Sequence, residues 1–88
     1  VVLVYLYLEY EEELNFEKNP DEKMMEILIS HLRCGDVTCQ WSHKNFILLL
    51  VDINSEDVEK VLERISSNFN DNYINSESIN IEYKYYEI

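Results

Sequence analysis

Two histidines and two cysteines lie close together in the sequence and are the residues best suited to bind a metal ion. His31, Cys34, Cys39 and His43 form the pattern H-x2-C-x4-C-x3-H. Thiolate and imidazole groups are common zinc ligands, but this spacing matches none of the usual zinc-binding patterns. Cys39 also alternates in phase with Trp41, which predicts that its side chain faces the core. We therefore do not expect a zinc site.

The same residues offer a second kind of chemistry, in which a histidine activates a cysteine nucleophile. Such a site needs a base and a third group that orients the base. The sequence marks no acidic residue for that role, and Cys39 is predicted to be buried. Two cysteines without a larger framework are typical of reduced thiols in a cytosolic protein.

The composition limits the classes of function that the chain can have. Its 88 residues include one glycine and one proline, which favours a single folded domain over a linker. The net charge of -11 disfavours binding to nucleic acid or to an anionic membrane. No apolar run is long enough to cross a bilayer. The chain lacks an initiating methionine, so we expect residues 1–88 to be one domain excised from a larger multidomain protein.

The hydrophobic pattern predicts the elements that position these residues. Val1 to Leu8 is apolar on both faces, which is typical of a central strand. The acidic segment from Tyr10 to Asn19 predicts a loop or a frayed helix. Asn19 and Pro20 then form a helix start, and Gly35 fits the stop. The apolar face of this helix has helical spacing and comprises Met24, Ile27, Leu28, His31 and Leu32.

A β-hairpin is predicted to follow the first helix. Val37, Cys39 and Trp41 alternate with polar residues, which predicts a half-buried strand with these three side chains inward. The run from Phe46 to Val51 is continuously apolar and predicts another central strand. Ser42 to Lys44 would form the turn between them.

A second helix and a last strand complete the pattern. Asn54 or Ser55 can cap the helix, and its apolar stripe comprises Val58, Val61, Leu62, Ile65 and Phe69. The last strand is predicted by apolar residues that alternate with polar ones, namely Ile79, Ile81, Tyr83 and Tyr85. The order β-α-β-β-α-β predicts an α+β, ferredoxin-like sandwich, in which two helices cover one face of a four-stranded antiparallel sheet.

The tyrosines concentrate near the two ends of the chain, with Tyr73 between, and two interpretations stand. They are Tyr5, Tyr7, Tyr10, Tyr83, Tyr85 and Tyr86. In the first interpretation they pack the first and last strands against their neighbours. In the second they form a protein-binding surface, because tyrosine is enriched at interfaces.

The segment from Leu32 to Leu50 resembles the core of the diguanylate cyclase (GGDEF) domain. In that family a helix ends in Arg-x-x-Asp, a strand follows, and Gly-Gly-Asp-Glu-Phe forms the hairpin turn. Arg33 and Asp36 match the first motif, and the signature position is occupied by Ser42-His43-Lys44-Asn45-Phe46. Glu63-Arg64-Ile65 resembles the family's Glu-Arg-Ile on the next helix. The resemblance covers residues 24–69, and the predicted order of elements agrees with the palm-like core of the family.

Departures from the family pattern imply that catalysis is lost. The family binds GTP with divalent metals, which are held by an acid at the third signature position and by an Asp at the end of the first strand. Lys44 takes the third position here, and Glu9 is the only carboxylate near the end of the first strand. Ser42 and His43 replace the glycines that let the backbone approach the nucleotide. The resemblance thus implies a degenerate domain that is not an enzyme and needs no metal or cofactor.

Three residues match the inhibitory site at which relatives bind their product, cyclic di-GMP. They are Arg33, Asp36 and Arg64. An arginine can bind phosphate or a guanine edge through two N–H groups, and a carboxylate can accept from a guanine N–H. Retention of these residues implies a regulatory cyclic di-GMP receptor in a cytoplasmic bacterial signalling protein. It would act on other domains of the same protein or through a homodimer.

The same three residues also have an interpretation without a ligand. Arg33 can complement the dipole of the first helix, Asp36 is a common turn residue, and Arg64 can solvate its helix. The chain would then be a ferredoxin-like protein-interaction or dimerisation domain that binds no nucleotide.

Overall fold

The computed structural model describes residues 1–11, 19–73 and 76–88. Along these residues the chain forms β1 (Val2–Glu9), α1 (Pro20–His31), β2 (Val37–Ser42), β3 (Asn45–Leu50), α2 (Ser55–Asn72), a short 3-10 helix (Ser76–Ser78) and β4 (Asn80–Glu87). The predicted order β-α-β-β-α-β is confirmed. The loop or frayed helix predicted for Tyr10 to Asn19 lies mostly outside the described residues.

The four strands form one antiparallel sheet in the order β2-β3-β1-β4. β1 and β3 are the central strands, as their continuous apolar sequences predict. Alternate side chains of both strands are buried in a single core with the apolar residues of α1 and α2. The two helices therefore cover one face of the sheet, and the predicted ferredoxin-like α+β sandwich is confirmed.

Both helices begin at the predicted asparagine caps. The Asn19 side chain accepts a hydrogen bond from the backbone N–H of Asp21 (2.9 Å), and Pro20 occupies the first helical turn. Asn54 rather than Ser55 caps α2, because its Oδ1 accepts from the N–H of Asp57 (2.9 Å). Each cap satisfies one of the backbone donors left without a partner at a helix start.

The core contains most of the predicted apolar stripes of the helices and central strands, but His31 and Leu32 at the end of α1 lie outside it. The fully buried side chains include Val2, Val4, Leu6, Met24, Leu28, Phe46, Val58, Leu62, Ile65 and Phe69. Ile81, Tyr83 and Tyr85 of β4 pack against this core from its edge, so the phase of the last strand is also confirmed. The core holds α1 and α2 side by side on the sheet, and the cavity described below lies where both helices meet the end of β3.

The predicted inward orientation of β2 is wrong. Val37 and Trp41 are each 57% exposed, and Cys39 is also exposed. The register instead pairs Thr38 with Leu48 on the helix-covered face of the sheet. Alternation shows which side chains share a face, but it does not show which face is covered. β2 is an edge strand whose apolar side chains lie on the uncovered face.

The uncovered face of the sheet, called the open face below, is largely apolar. The strand register places Asn45, Glu82 and Lys84 on this side, and the ring contact with Tyr5 places Trp41 there. The other residues on this side are Leu3, Tyr5, Tyr7, Val37, Cys39, Ile47, Leu49 and Tyr86. Tyr5 and Trp41 form an edge-to-face pair with ring centroids 5.7 Å apart. The tyrosines thus divide between two environments, because Tyr83 and Tyr85 pack on the core side. Within the described residues, no helix is long and apolar enough to cross a membrane.

Candidate functional site

A cavity of about 250 Å³ lies where the end of α1, the end of β3 and the first turns of α2 meet. Its walls are formed by His31, Arg33, Asp36, Leu50, Ile53, Asp57, Lys60, Val61 and Arg64. The three residues predicted to bind a ligand therefore line one cavity, although Arg33 and Asp36 belong to the turn after α1 and Arg64 belongs to α2.

The turn after α1 is organised by Asp36. Its backbone N–H donates to the carbonyl of Arg33 (3.0 Å), and its Oδ2 accepts from the backbone N–H of Arg33 (3.0 Å). Gly35, between them, has a φ of 94°, a conformation that L side chains rarely adopt. An added Cβ there would lie 3.0 Å from a methyl group of Val51. Glycine therefore lets the turn close tightly against the end of β3.

The Asp36 carboxylate also ties this turn to the end of β3. Its Oδ1 accepts from the backbone N–H of Val51 (3.0 Å), and Arg33 Nη2 donates to the Val51 carbonyl (2.8 Å). The Asp36 side chain is only 1% exposed. In this arrangement Asp36 holds Arg33 in position at the wall of the cavity.

The ionisation of Asp36 reflects this environment. Burial acts to raise its pKa, but hydrogen bonds from the backbone of Val51 and Arg33 and from the Arg33 side chain outweigh burial. The net result is a pKa below the ordinary value of 3.8. Asp36 is therefore ionised near neutral pH, and its negative charge orients the Arg33 guanidinium.

Arg33 keeps donors available for a ligand. Its Nε lies 3.3 Å from Asp36 Oδ2 and one Nη2 hydrogen reaches Val51, which uses two of the five guanidinium N–H groups. The side chain is 55% exposed. Because the guanidinium is planar and fixed from one side, its outer edge can donate to two acceptors of a phosphate or a guanine.

The α2 wall of the cavity carries two further cations, Lys60 and Arg64. They are four residues apart on the helix and so lie on the same face, one turn from each other. Neither side chain makes a hydrogen bond or an ion pair with any described residue. Three of the seven lysines and arginines of this acidic chain thus line a single cavity.

His31 contributes an imidazole group to the same cavity. Asn72 Nδ2 donates to Asn68 Oδ1 (2.6 Å), which turns the Asn68 amide nitrogen toward His31 Nε2 (3.2 Å). The lysine and arginine side chains of the cavity are Arg33, Lys60 and Arg64.

The residues at the signature position occupy the other end of β3. This signature turn, residues 42–46, packs against the start of α1 through His43, whose Nδ1 lies 2.7 Å from Asp21 Oδ2. Asp21 is only 3% exposed and also accepts from the Tyr10 hydroxyl (2.9 Å). Lys44 Nζ donates to the Tyr10 carbonyl (2.8 Å) and lies 4.2 Å from the centre of the Tyr10 ring. Both basic side chains of the turn are therefore used in internal contacts.

The sequence reasoning missed Asp21 as a partner of His43. Asp21 is the kind of orienting acid that a cysteine–histidine site would need, but nothing in the spacing links two residues so far apart. Cys34 and Cys39 are both exposed, and no hydrogen bond joins either to a histidine in the described part of the chain.

The structure places the histidines and cysteines that were considered as zinc ligands apart from one another. His31 lies at the cavity, whereas His43 lies in the signature turn and Cys39 on the open face. Glu9 is exposed at the end of β1, where it pairs with Asn80 of β4. Among residues 1–11, 19–73 and 76–88, no three His, Cys, Asp or Glu side chains come together in a way that could hold a metal ion.

Comparison of the sequence with known protein families finds no match, and no curated protein matches it. Solved structures do match the fold. PelD from Pseudomonas aeruginosa PAO1 superimposes with a TM-score of 0.62 at 15% identity, covering 96% of this chain and 30% of that one. PelD from Pseudomonas aeruginosa PA14 in complex with c-di-GMP gives 0.59 at 14% identity, with coverages of 98% and 32%. The chain spans about a third of these neighbours.

Proposed function

We propose that this chain is a non-catalytic regulatory domain that binds cyclic di-GMP in the cavity between α1 and α2. The observation that carries the proposal is the convergence of Arg33, Asp36 and Arg64 on that cavity. These are the residues that match the product-binding site of the GGDEF family. A structural neighbour of the same fold is itself in complex with c-di-GMP, which supports this choice of ligand.

The charges of the cavity also support an anionic ligand. The chain carries a net charge of -11, which repels anions at long range. At short range, however, Arg64 and Lys60 face the cavity without ion pairs to the described residues. An arginine fork can donate two charge-assisted hydrogen bonds to a phosphate, and such bonds are stronger than those between neutral groups. The local charge can therefore outweigh the global charge.

The absence of catalysis in the proposal is supported by the signature turn. Lys44 stands where the GGDEF family has a metal-binding acid, and its ammonium group lies against Tyr10 beside the end of β1. A fixed positive charge there opposes the binding of a divalent cation. Glu9 alone would have to replace the lost ligands, and magnesium sites in such enzymes use carboxylates together with substrate phosphates.

Calorimetric titration of the full chain with cyclic di-GMP tests the proposal. We expect micromolar binding, which Arg33→Ala should weaken roughly 10- to 100-fold, since a bidentate contact contributes about 1–3 kcal/mol. Lys84→Ala is the matched control, because it removes one positive charge from the exposed part of β4. Equal loss in both variants, or no binding by the folded wild-type chain, would contradict the proposal.

A separate assay tests the loss of enzymatic activity. Incubation with GTP and Mg²⁺ or Mn²⁺ should yield neither cyclic di-GMP nor GDP. Lys44→Glu should not restore turnover, because the substitution returns one acid but neither the signature glycines nor the acid of the first strand. Metal-dependent turnover by the wild-type chain would contradict the non-catalytic assignment.

The open face favours a second candidate function, that of a protein-interaction or dimerisation domain. Val37, Trp41 and Tyr86 are each 57% exposed on an apolar sheet surface. Aromatic side chains of this kind are enriched at protein interfaces. Sedimentation of the wild-type chain and of Val37→Lys at increasing concentration tests self-association. A concentration-dependent dimer that the lysine abolishes would favour this function over a monomeric receptor.

A further inference from the structure

We infer that Lys60 contacts the ligand and binds a phosphate of the nucleotide together with Arg64. Lys60 would thus add a contact to those expected from Arg33, Asp36 and Arg64. This inference rests on the proposed function, since it concerns the same cavity. The first observation is placement, because Lys60 and Arg64 lie one turn apart on α2 and line the cavity that Arg33 closes from the other side.

The second observation is the lack of a partner for Lys60. Glu56 lies four residues earlier on α2, at the spacing and in the order that favour a helical ion pair. No such pair forms, and the Lys60 side chain makes no hydrogen bond or ion pair with the described residues. The ammonium group of Lys60 lines the cavity and is not paired with the Glu56 carboxylate, so it is suited to bind an anion there.

The third observation concerns the pairing of like charges. Lys60 and Arg64 stand at positions i and i+4, and like charges at this spacing destabilise a helix. An anion bound between them removes that repulsion and gains from both charges. Arg33, in contrast, is already held by Asp36 and the Val51 carbonyl. In this geometry Arg33 would bind a guanine edge or a phosphate, and Lys60 and Arg64 of α2 would bind a phosphate.

Asp57 provides a test in the opposite direction. It lines the same cavity one turn before Lys60 and carries the only other charge of the α2 wall. A phosphate near Lys60 is therefore repelled by Asp57. Neutralising Lys60 should weaken binding, whereas neutralising Asp57 should strengthen it. A merely structural role for either residue would not produce opposite changes.

The experiment is a titration of the full chain with cyclic di-GMP at two salt concentrations. We expect Lys60→Gln to weaken binding about tenfold and to reduce its salt dependence, because one screened charge contact is lost. Asp57→Asn should strengthen binding two- to threefold. Lys84→Gln makes the same change in net charge on the other side of the sheet and should leave both quantities unchanged. Circular dichroism confirms that all variants fold.

The outcomes separate the two hypotheses. If the wild-type chain binds and Lys60→Gln behaves like Lys84→Gln, the inference about Lys60 is overturned while the proposed receptor function stands. If the folded wild-type chain does not bind cyclic di-GMP at either salt concentration, the proposed function fails, and the role of Lys60 fails with it. Equal weakening by both lysine variants would assign the effect to net charge and also overturn the inference.

Discussion

Basic residues lie near both ends of β3, but they differ in whether their side chains contact other parts of the fold. At its start, His43 and Lys44 of the signature turn contact Asp21 and Tyr10 and are used inside the fold. At its end, about 17 Å away at roughly 3.4 Å per residue, Arg64 and its neighbour Lys60 line a cavity and have no partner among the described residues. The same type of side chain therefore stabilises the fold at one end and remains available for a ligand at the other.

This difference separates a structural role from the proposed binding role along a single strand. At the start of β3, His43 and Lys44 hold the signature turn against Asp21 and Tyr10 and so contribute internal stability. The cavity at the other end of β3 presents guanidinium groups that can bind a phosphodiester. Variants at the two ends should therefore separate stability from binding, and Asp36 should be the one position that affects both.

Asp36→Asn should have the largest effect. The asparagine would place an NH₂ group opposite one of the backbone donors of Arg33 or Val51, and a buried, charge-assisted set of hydrogen bonds would be lost. We expect the free energy of unfolding to fall by about 2–3 kcal/mol, together with weaker binding because Arg33 loses its orientation. Urea unfolding measures the first effect and calorimetry the second.

The control for this variant is Asp71→Asn, which removes the same charge from an exposed position near the end of α2. It should leave stability within about 0.5 kcal/mol of the wild type. Similar urea midpoints for the two variants would mean that Asp36 is an ordinary turn residue. The difference between the ends of β3 would then rest on Arg33, Lys60 and Arg64 alone.

The contribution of Asp36 should also depend on pH. Its pKa in the folded chain is below the ordinary value of 3.8, so its ionised form favours the folded state. The stabilisation is complete above about pH 5 and is lost as the pH falls below 3.8 toward the folded-state pKa. The stability difference between the wild type and Asp36→Asn should therefore narrow between pH 5 and pH 2. A difference that stays constant across this range would contradict the assigned hydrogen bonds.

His43→Ala should have the smallest effect and should act on stability alone. The His43–Asp21 contact is short, but His43 is half exposed, so we expect a loss of about 1 kcal/mol. Affinity for cyclic di-GMP should not change. A double-mutant cycle with Asp21→Ala isolates the coupling between the two side chains. Loss of binding in His43→Ala would show that the two ends of β3 are coupled and do not act separately.

Much of the fold could be predicted from the sequence because local signals agreed with the global arrangement. The asparagine caps, the apolar stripe of α2 and the continuous apolar runs of β1 and β3 each fixed an element and its burial. The error at β2 has a simple cause, since alternation does not specify the covered face of a sheet. Which face of β2 is covered depends on the position of the strand relative to the helices, and that position is a tertiary property.

The candidate site was predictable in part. Arg33, Asp36 and Arg64 came from a resemblance in sequence, and the structure places them around one cavity. Lys60 was not anticipated, although its spacing from Arg64 could have indicated it. The hydrogen bonds of Asp36 to Val51 and the contact of His43 with Asp21 depend on long-range packing, which no local pattern encodes.

The exposure of Trp41 on the open face gives the protein a built-in optical reporter. It is the only tryptophan of the chain, and it lies on the side of the sheet away from the cavity. Its emission should stay constant when cyclic di-GMP binds and should shift to shorter wavelength when a second protein surface covers the open face. A shift of Trp41 emission therefore reports contact at the open face separately from ligand binding in the cavity, without any label.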